Sequence, residues 1–332
     1  MWFGPVPLAQ ACGAVLAHSE LAGGLRLRKG KVLVPDDLAV LAAAGLTEVV
    51  VARLDPGDLG EDQAADALAR SLVPDEAAQG LVRSHAFTGR VNLNAVGPGL
   101  VEVDRAAVLA LNRVDPAITL ATLPPWARVG AGVLVGTVKI ISYGVDAQAV
   151  QRACDLSRSA IRVRPVVLSS AGLILTEVAG QDAKLALKGR RAIEARLLAL
   201  GMELAGVERV AHDEAAIAAA LHRCSGEMVL ILTGSATSDL FDTAPQGLRA
   251  AGGRVLRFGM PVDPGNLLFL GILGPRTVIG LPGCARSPAL NGADWVLERL
   301  ACGLVVGDDD IAAMGVGGLL KETKSRAQPR EP

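Results

Sequence analysis

Aromatic residues make up only 3% of this 332-residue chain, with a single Tyr. Stacking platforms for single-stranded nucleic acid need more rings than that. Charge of one sign is also lacking: Lys plus Arg is 33 against Asp plus Glu 34, for a net charge of −1. A polyanion such as nucleic acid is therefore not the expected main partner, while a small anion needs only a local pocket. The five Cys (Cys12, Cys154, Cys224, Cys284, Cys302) are scattered, odd in number and without metal-ligand spacing. That fits free thiols in a reducing cytoplasm. The four His are dispersed, with no Glu/His pair at metal spacing. No apolar run reaches the roughly 20 residues of a membrane span. The start, Met1-Trp2-Phe3-Gly4-Pro5, has neither the basic nor the apolar region of a signal peptide. The chain is long enough for two or three domains and for a core that needs no disulfide or structural metal.

Small and β-branched residues are plentiful, and their order suggests the architecture. Residues 1–75 read as a small α+β unit. Leu25 to Val34 alternates as a half-buried strand pair. Asp36 or Asp37 caps a helix over Leu38 to Ala44. Glu48 to Ala52 is a strand, and Asp62 to Leu72 a helix. Residues 76–160 are richer in Pro, Gly and β-branched residues and suggest a barrel-like unit. That unit closes with a connecting helix from Asp146 to Ser159. From 161 to 304 strands alternate with helices. Strands are expected at 165–170, 202–210, 228–232 and 254–258, and helices at 184–200, 213–224, 245–251 and 287–302. This alternation implies an α/β fold, a three-layer doubly wound mostly parallel sheet with helices on both faces. Residues 305–332 read as a tail or linker, with Asp308-Asp309-Asp310 as a cap and a polar, disordered stretch from Lys321. The basic run Lys184, Lys188, Arg190, Arg191 is either a solvated helix face or a guide for an anion.

Ligands of such sheets sit outside the carboxyl ends of the strands. Three segments converge there. Thr233-Gly234-Ser235-Ala236-Thr237-Ser238 follows the apolar run Met228 to Leu232 and leads to Asp242 and Pro245. A small-residue turn before a helix lets backbone N–H groups approach a phosphate. Met260-Pro261-Val262-Asp263-Pro264-Gly265-Asn266 is a Pro-Gly turn with polar flanks. Gly280-Leu281-Pro282-Gly283-Cys284-Ala285-Arg286-Ser287-Pro288 ends a strand. Ser287 as N-cap and Pro288 at the first position would start a helix, with Arg286 as a charged clamp beside it.

These segments resemble the molybdopterin-binding domain of the adenylyltransferase, molybdenumtransferase and gephyrin family. Thr233-Gly234-Ser235 with Asp242 and Pro245 looks like the family's Thr-Gly-Gly loop and following acid. Met260 to Asn266 looks like its Pro-Gly-Lys-Pro turn. Leu281-Pro282-Gly283-Cys284-Ala285 looks like its Leu-Pro-Gly-Asn-Pro. The two leading units are similar, more loosely, to the domains preceding it in the molybdenumtransferase branch and in related bacterial proteins. Four departures stand out: Ser235 replaces the second Gly, Asn266 the Lys and Cys284 the Asn. The family's Thr-Gly-Asp-Glu turn is matched to Ser169-Ser170-Ala171-Gly172-Leu173, which has no acids.

The resemblance implies molybdopterin or its adenylylated form as ligand, in molybdenum cofactor biosynthesis. Its cradle would be Thr233, Gly234, Ser235, Thr237, Ser238, Asp263, Pro264, Gly265, Asn266, Pro282, Gly283, Cys284, Arg286 and Ser287. Asp242 would be the catalytic or Mg²⁺-holding acid. If the chain turns over, adenylyl transfer from ATP or molybdenum insertion is implied. The missing acids favour a non-enzymatic carrier or maturation scaffold serving a molybdoenzyme or a cofactor-synthesis protein. A more distant alternative is a nucleotide pyrophosphatase-like enzyme of the competence-damage family. A cytoplasmic homo-oligomer with no nucleic acid and no membrane partner completes the expectation.

Overall fold

A computed structural model describes residues 1–180 and 183–320. The chain divides into two compact units, one of residues 1–97 and 101–164, the other of 98–100 and the chain from Pro165 onward. The expected disordered stretch from Lys321 lies outside the described residues. Among the described residues no helix is long and apolar enough to cross a membrane.

The first unit holds two apolar cores. In the smaller one Val6, Leu16, Leu33, Leu41 and Val51 are buried. It lies at a three-stranded sheet with Glu48–Arg53 between Trp2–Pro7 and Val15–Leu16. The half-buried strand pair expected from Leu25 to Val34 is shorter: Leu25–Leu27 pairs with Glu20–Ala22, and Val32 makes only an isolated bridge to Val15. Asp37 caps the helix Pro35–Ala43 from its third position, accepting from Val34 N–H at 3.1 Å, because Pro35 at the start leaves Val34 as N-cap. The larger core gathers Leu68, Leu81, Leu93, Ile118 and Ile140. It packs the helix Glu61–Leu72 on a four-stranded antiparallel sheet that includes Arg90–Ala95 and Leu134–Ile140.

The second unit is built on a mixed six-stranded sheet, and its elements are numbered from its start. They are β1 Ser170–Glu177, α1 Ala183–Ala199, β2 Glu203–Ala211, α2 Glu214–Arg223, β3 Met228–Leu232 and α3 Thr243–Ala250. Then come β4 Arg254–Phe258, β5 Phe269–Leu273, β6 Arg276–Leu281, α4 Gly292–Ala301 and α5 Asp308–Ala313. The sheet order is β2-β1-β3-β6-β5-β4. The first four strands run parallel, and β5 and β4 are antiparallel additions.

Period-2 alternation sends successive side chains to opposite faces. Leu173, Leu230 and Ile279 face Ile193 and Leu197 of α1 and Val296 of α4. Ile174, Val229, Ile231 and Val278 face Ile217 and Leu221 of α2 and Leu248 of α3. Burial on both faces explains why β3 is apolar at every position.

Three expectations need correction here. The first strand is not 165–170: residues 166–169 are irregular, and the strand runs from Ser170 to Glu177. The apolar segment Ala171 to Leu175 is what fills both cores, whereas Val167 is exposed. Residues 305–320 are not a tail, because Ile311 of α5 and Met314 just after it are buried against the α1 and α4 face. The acids at 308–310 form the first turn of α5 rather than its cap, and Asp310 accepts from Gly307 N–H at 2.9 Å.

Candidate functional site

The carboxyl ends of the four parallel strands share one edge of the sheet. After β1 the chain crosses to β2 on one side, and after β3 it goes to β4 at the far edge and returns through β5 to β6 on the other. The neighbours β1 and β3 therefore flank a switch point, the place where open α/β sheets leave a crevice. Thr176 sits at the end of β1, His212 follows β2, Thr233 follows β3 and Pro282 follows β6.

Thr176 is buried, and its hydroxyl accepts from Gly234 N–H at 2.8 Å. The same hydroxyl lies 2.8 Å from His212 Nδ1. Across the crevice Arg286 donates through Nη2 to Thr233 O and reaches Gly283 O at 3.5 Å through Nη1. The Thr-Gly-Ser turn is thus fixed from two sides, by a strand-end hydroxyl and by a guanidinium. Thr233 and Thr237 are buried, whereas Ser235 and Ser238 are exposed along the turn.

Asp242 is the N-cap of α3. Its Oδ1 accepts from Thr243 N–H at 2.7 Å, and its Oδ2 accepts from Ser238 N–H at 2.9 Å. The Ser238 amide, with Thr243, holds this carboxyl below the usual carboxylate range against the effect of burial. Each oxygen thus accepts one backbone amide. Among the described residues no group of three or more His, Cys, Asp or Glu is placed to hold a metal. In the structure this acid serves as the helix cap of α3.

The second segment is tied to α4 and to residues 318–320. Gly292 N–H, the first of α4, donates to Pro264 O at 2.8 Å. Gly265 has φ +138°, and a Cβ there would stand 2.5 Å from Gly292 N, so only glycine fits this approach. Asp263 accepts from Leu320 N–H at 2.8 Å through its backbone carbonyl. Asn266 is exposed.

The third segment differs from its expected form. Gly283–Arg286 is a single 3₁₀ turn with Pro282 as its N-cap, and Ser287 ends that turn instead of starting a helix. The helix begins at Gly292, under Asn291 and a capping box with Asp294. The cause is Arg196 of α1. Its guanidinium is buried and donates to Ala285 O at 3.0 Å, Ser287 O at 2.8 Å and Ala289 O at 3.1 Å. Its Nε donates to Asp294 Oδ1 at 2.5 Å. Carbonyls turned toward Arg196 are withdrawn from helical bonding, so residues 287–290 cannot continue the coil. The expected anion site at a Ser287 helix start is therefore absent.

Cys284 lies near this network. Burial, and then the charges of Asp294 and Asp263, push its thiol up, with Arg196 opposing them.

Four residues of this region escape a sequence reading: Thr176, Glu177, His212 and Arg196. Thr176 and Glu177 occupy the end of β1 once that strand is placed on Ala171 to Leu175. The end taken for the family's acidic turn, Ser169 to Leu173, is the wrong end of the strand. An acid does stand at the carboxyl end of β1: Glu177 is partly exposed and accepts from Arg209 Nε at 2.9 Å. Arg196 had a visible signal, a cation among Ala192, Ile193 and Leu197 on the apolar stripe of α1.

Comparison with known proteins is sparse. A family model described as a domain of unknown function (DUF8806) matches residues 5–53, within the first unit. No curated protein matches. Among solved structures, a molybdopterin biosynthesis MoeA protein from Pyrococcus horikosii is similar at 13% identity and a TM-score of 0.32. The match covers 91% of this chain and 75% of that one. A likeness this loose carries no argument.

Proposed function

We propose that the second unit binds molybdopterin or its adenylylated form at the carboxyl edge of its sheet and holds it for a partner in molybdenum cofactor biosynthesis. The observation that carries this reading is the two-sided fixing of the Thr233 turn at the switch point. Thr176 takes the Gly234 amide and Arg286 takes the Thr233 carbonyl. A turn so held presents the Ser235 hydroxyl and its remaining amides without reorganisation on binding. Arg286 supplies charge for the ligand's phosphate. The family motifs, in family order, supply the pterin as the ligand class. The carrier form is preferred to a transferase because Asp242, the acid matched to the family's, already accepts from the Ser238 and Thr243 amides as the cap of α3. In this reading the pterin is cargo, delivered to a molybdoenzyme or another cofactor-synthesis protein in the cytoplasm by a homo-oligomer.

Titration calorimetry with molybdopterin and its adenylylated form, with and without Mg²⁺, tests this. Binding should weaken at least about tenfold in Thr233→Trp, which fills the crevice, and in Arg286→Glu, which reverses its charge. No binding of either form by the wild-type protein sinks the ligand assignment. Formation of adenylylated product from ATP would overturn the carrier form and leave the ligand.

A further inference from the structure

The hydroxyl that holds the Gly234 amide has a second partner, and that partner can change charge. Thr176 Oγ1 accepts from Gly234 N–H at 2.8 Å and lies 2.8 Å from His212 Nδ1. The hydroxyl is buried, and among the described residues it has no third partner. A threonine hydroxyl has one proton and two lone pairs. With the amide donating to one lone pair, the proton has a single acceptor within reach, Nδ1. Counting donors and acceptors therefore assigns a neutral ring with its own proton on Nε2. The chain runs from Gly234 N–H to Thr176 O–H to His212 Nδ1, and hydrogen bonds in such a chain strengthen one another. Protonation of the ring breaks it. Nδ1 becomes a donor, and the hydroxyl would have to accept twice with its own proton buried and unmatched. That state is costly, so the ring or the hydroxyl turns away and the amide loses a well-aimed acceptor.

The backbone sets this placement. β1 and β2 run parallel with Glu177 beside Ala211, and His212 N–H donates to Glu177 O at 3.0 Å. Among the described residues His212 is the only histidine whose ring makes a hydrogen bond, so the contact is particular to this strand end. The residue is partly exposed, and solvent protons reach it. The elements around it carry further charges. β1 brings Glu177, paired with Arg209 of β2. The start of α2 brings Glu214 and Asp213, the latter accepting from Ala216 N–H at 2.8 Å as that helix's cap. The segment leading into α3 brings Asp239 and Asp242. Carboxylates and guanidinium groups as classes hold their charge where an imidazole changes its own.

We propose that His212 is a positioning residue that couples the Thr233 turn to pH over the range in which imidazoles titrate, about pH 5 to 8. Neutral, it takes the Thr176 proton and leaves the hydroxyl aimed at the Gly234 amide. Protonated, it withdraws that acceptor, and the turn loosens on the β1 side while Arg286 still holds the other. The new positive charge is met by Asp242, which is close enough for the two charges to interact. It therefore adds little pull on an anionic ligand, and loosening decides the sign. The effect on ligand binding rests on the reading that the turn cradles the ligand; the effect on the turn itself does not.

The test uses the full chain, first without ligand. Nitrogen NMR of the imidazole should find Nδ1 bare and the proton on Nε2 in the neutral form. Hydrogen exchange at the Gly234 amide, corrected for the intrinsic pH dependence of exchange, should lose at least about fivefold in protection from about pH 8 to about pH 5.5. His212→Asn keeps an acceptor in the place of Nδ1 and cannot be protonated, so its Gly234 protection should stay level. Thr176→Val, which keeps the shape and removes the hydroxyl, should be poorly protected at every pH with its circular dichroism unchanged. In calorimetry with molybdopterin, the ratio of wild-type to His212→Asn affinity should fall at least about threefold over the same range, a ratio that cancels the ligand's own titration. The proposal fails if the neutral ring carries its proton on Nδ1, or if wild-type protection is flat with pH. It fails equally if the pH dependence survives in His212→Asn, which would assign it to the neighbouring carboxylates. Wild-type protein that binds no molybdopterin, while Gly234 protection still follows His212, overturns the ligand reading and supports this one.

Discussion

Two arginines flank the 283–289 segment, and they are in opposite states. Arg196, on its inner side, meets Asp294 and the carbonyls of Ala192, Ala285, Ser287 and Ala289. Arg286, on its outer side, has two carbonyls, no acid and an orphaned Nε. A buried cation with every donor matched belongs to the fold. A partly buried cation with a donor left over belongs to something the chain does not supply. The contrast separates the residue that shapes this turn from the residue that uses it.

The sharpest way to break the contrast is Arg196→Ala. It strands Asp294 as an uncompensated buried charge and frees four carbonyls, so unfolding should be easier by about 3–5 kcal/mol. Arg196→Lys should recover only a part, because an ammonium cannot span carbonyls set around a planar fork. Chemical denaturation measures both. A loss below about 1 kcal/mol for the alanine variant would mean that Arg196 is no more structural than Arg286.

Arg196 also shows where sequence reading stops. Much of the sheet was legible: the apolar run 228–232 and the alternation with helices are local patterns, and the Thr233 turn follows directly from one of them. The third segment was not. Ser287-Pro288 has the local chemistry of a helix start, yet its carbonyls are claimed by a side chain some ninety residues earlier. Long-range hydrogen bonds override local capping preference, and nothing near Ser287 announces them. The strand shift at 165–177 has a similar cause. Pro165-Val166-Val167-Leu168 has strand propensity as strong as Ala171 to Leu175, and only burial between two helix layers decides between them.

The first unit supplies the mirror image of Arg286, an acid with cations to spare. Glu102 accepts from Arg162 Nε at 2.6 Å and Nη2 at 3.0 Å, and from Arg164 as well. The Arg162 guanidinium, then Arg164, hold its carboxyl down to about 2 against the effect of burial. Its folded value is depressed, so its stabilisation is complete above the ordinary 4.5 and is lost as pH falls from there toward 2. Arg162 and Arg164 are 41% and 38% exposed, so solvent screening reduces the contribution to about 1 kcal/mol. The stability gap between wild type and Glu102→Gln should therefore be about that size at pH 6, close between pH 4.5 and 2.5, and shrink in 0.5 M salt. A gap independent of pH would show that packing, not charge, holds this acid.

The smallest effect is the most telling. Arg286→Ala removes two hydrogen bonds to carbonyls, one of them long at 3.5 Å. It also removes a desolvated charge that has no partner and whose burial disfavours the cation. The loss and the relief are of similar size and opposite sign. Unfolding stability should therefore stay within about 0.5 kcal/mol of wild type, although the side chain is half-buried. The same variant should lose pterin affinity, because the proposed ligand takes its charge. A fall in stability as large as that of Arg196→Ala would show that Arg286 is a strut for the Thr233 turn. Stability kept while affinity is lost is the pattern of a residue held ready for a guest, at some expense to the empty protein.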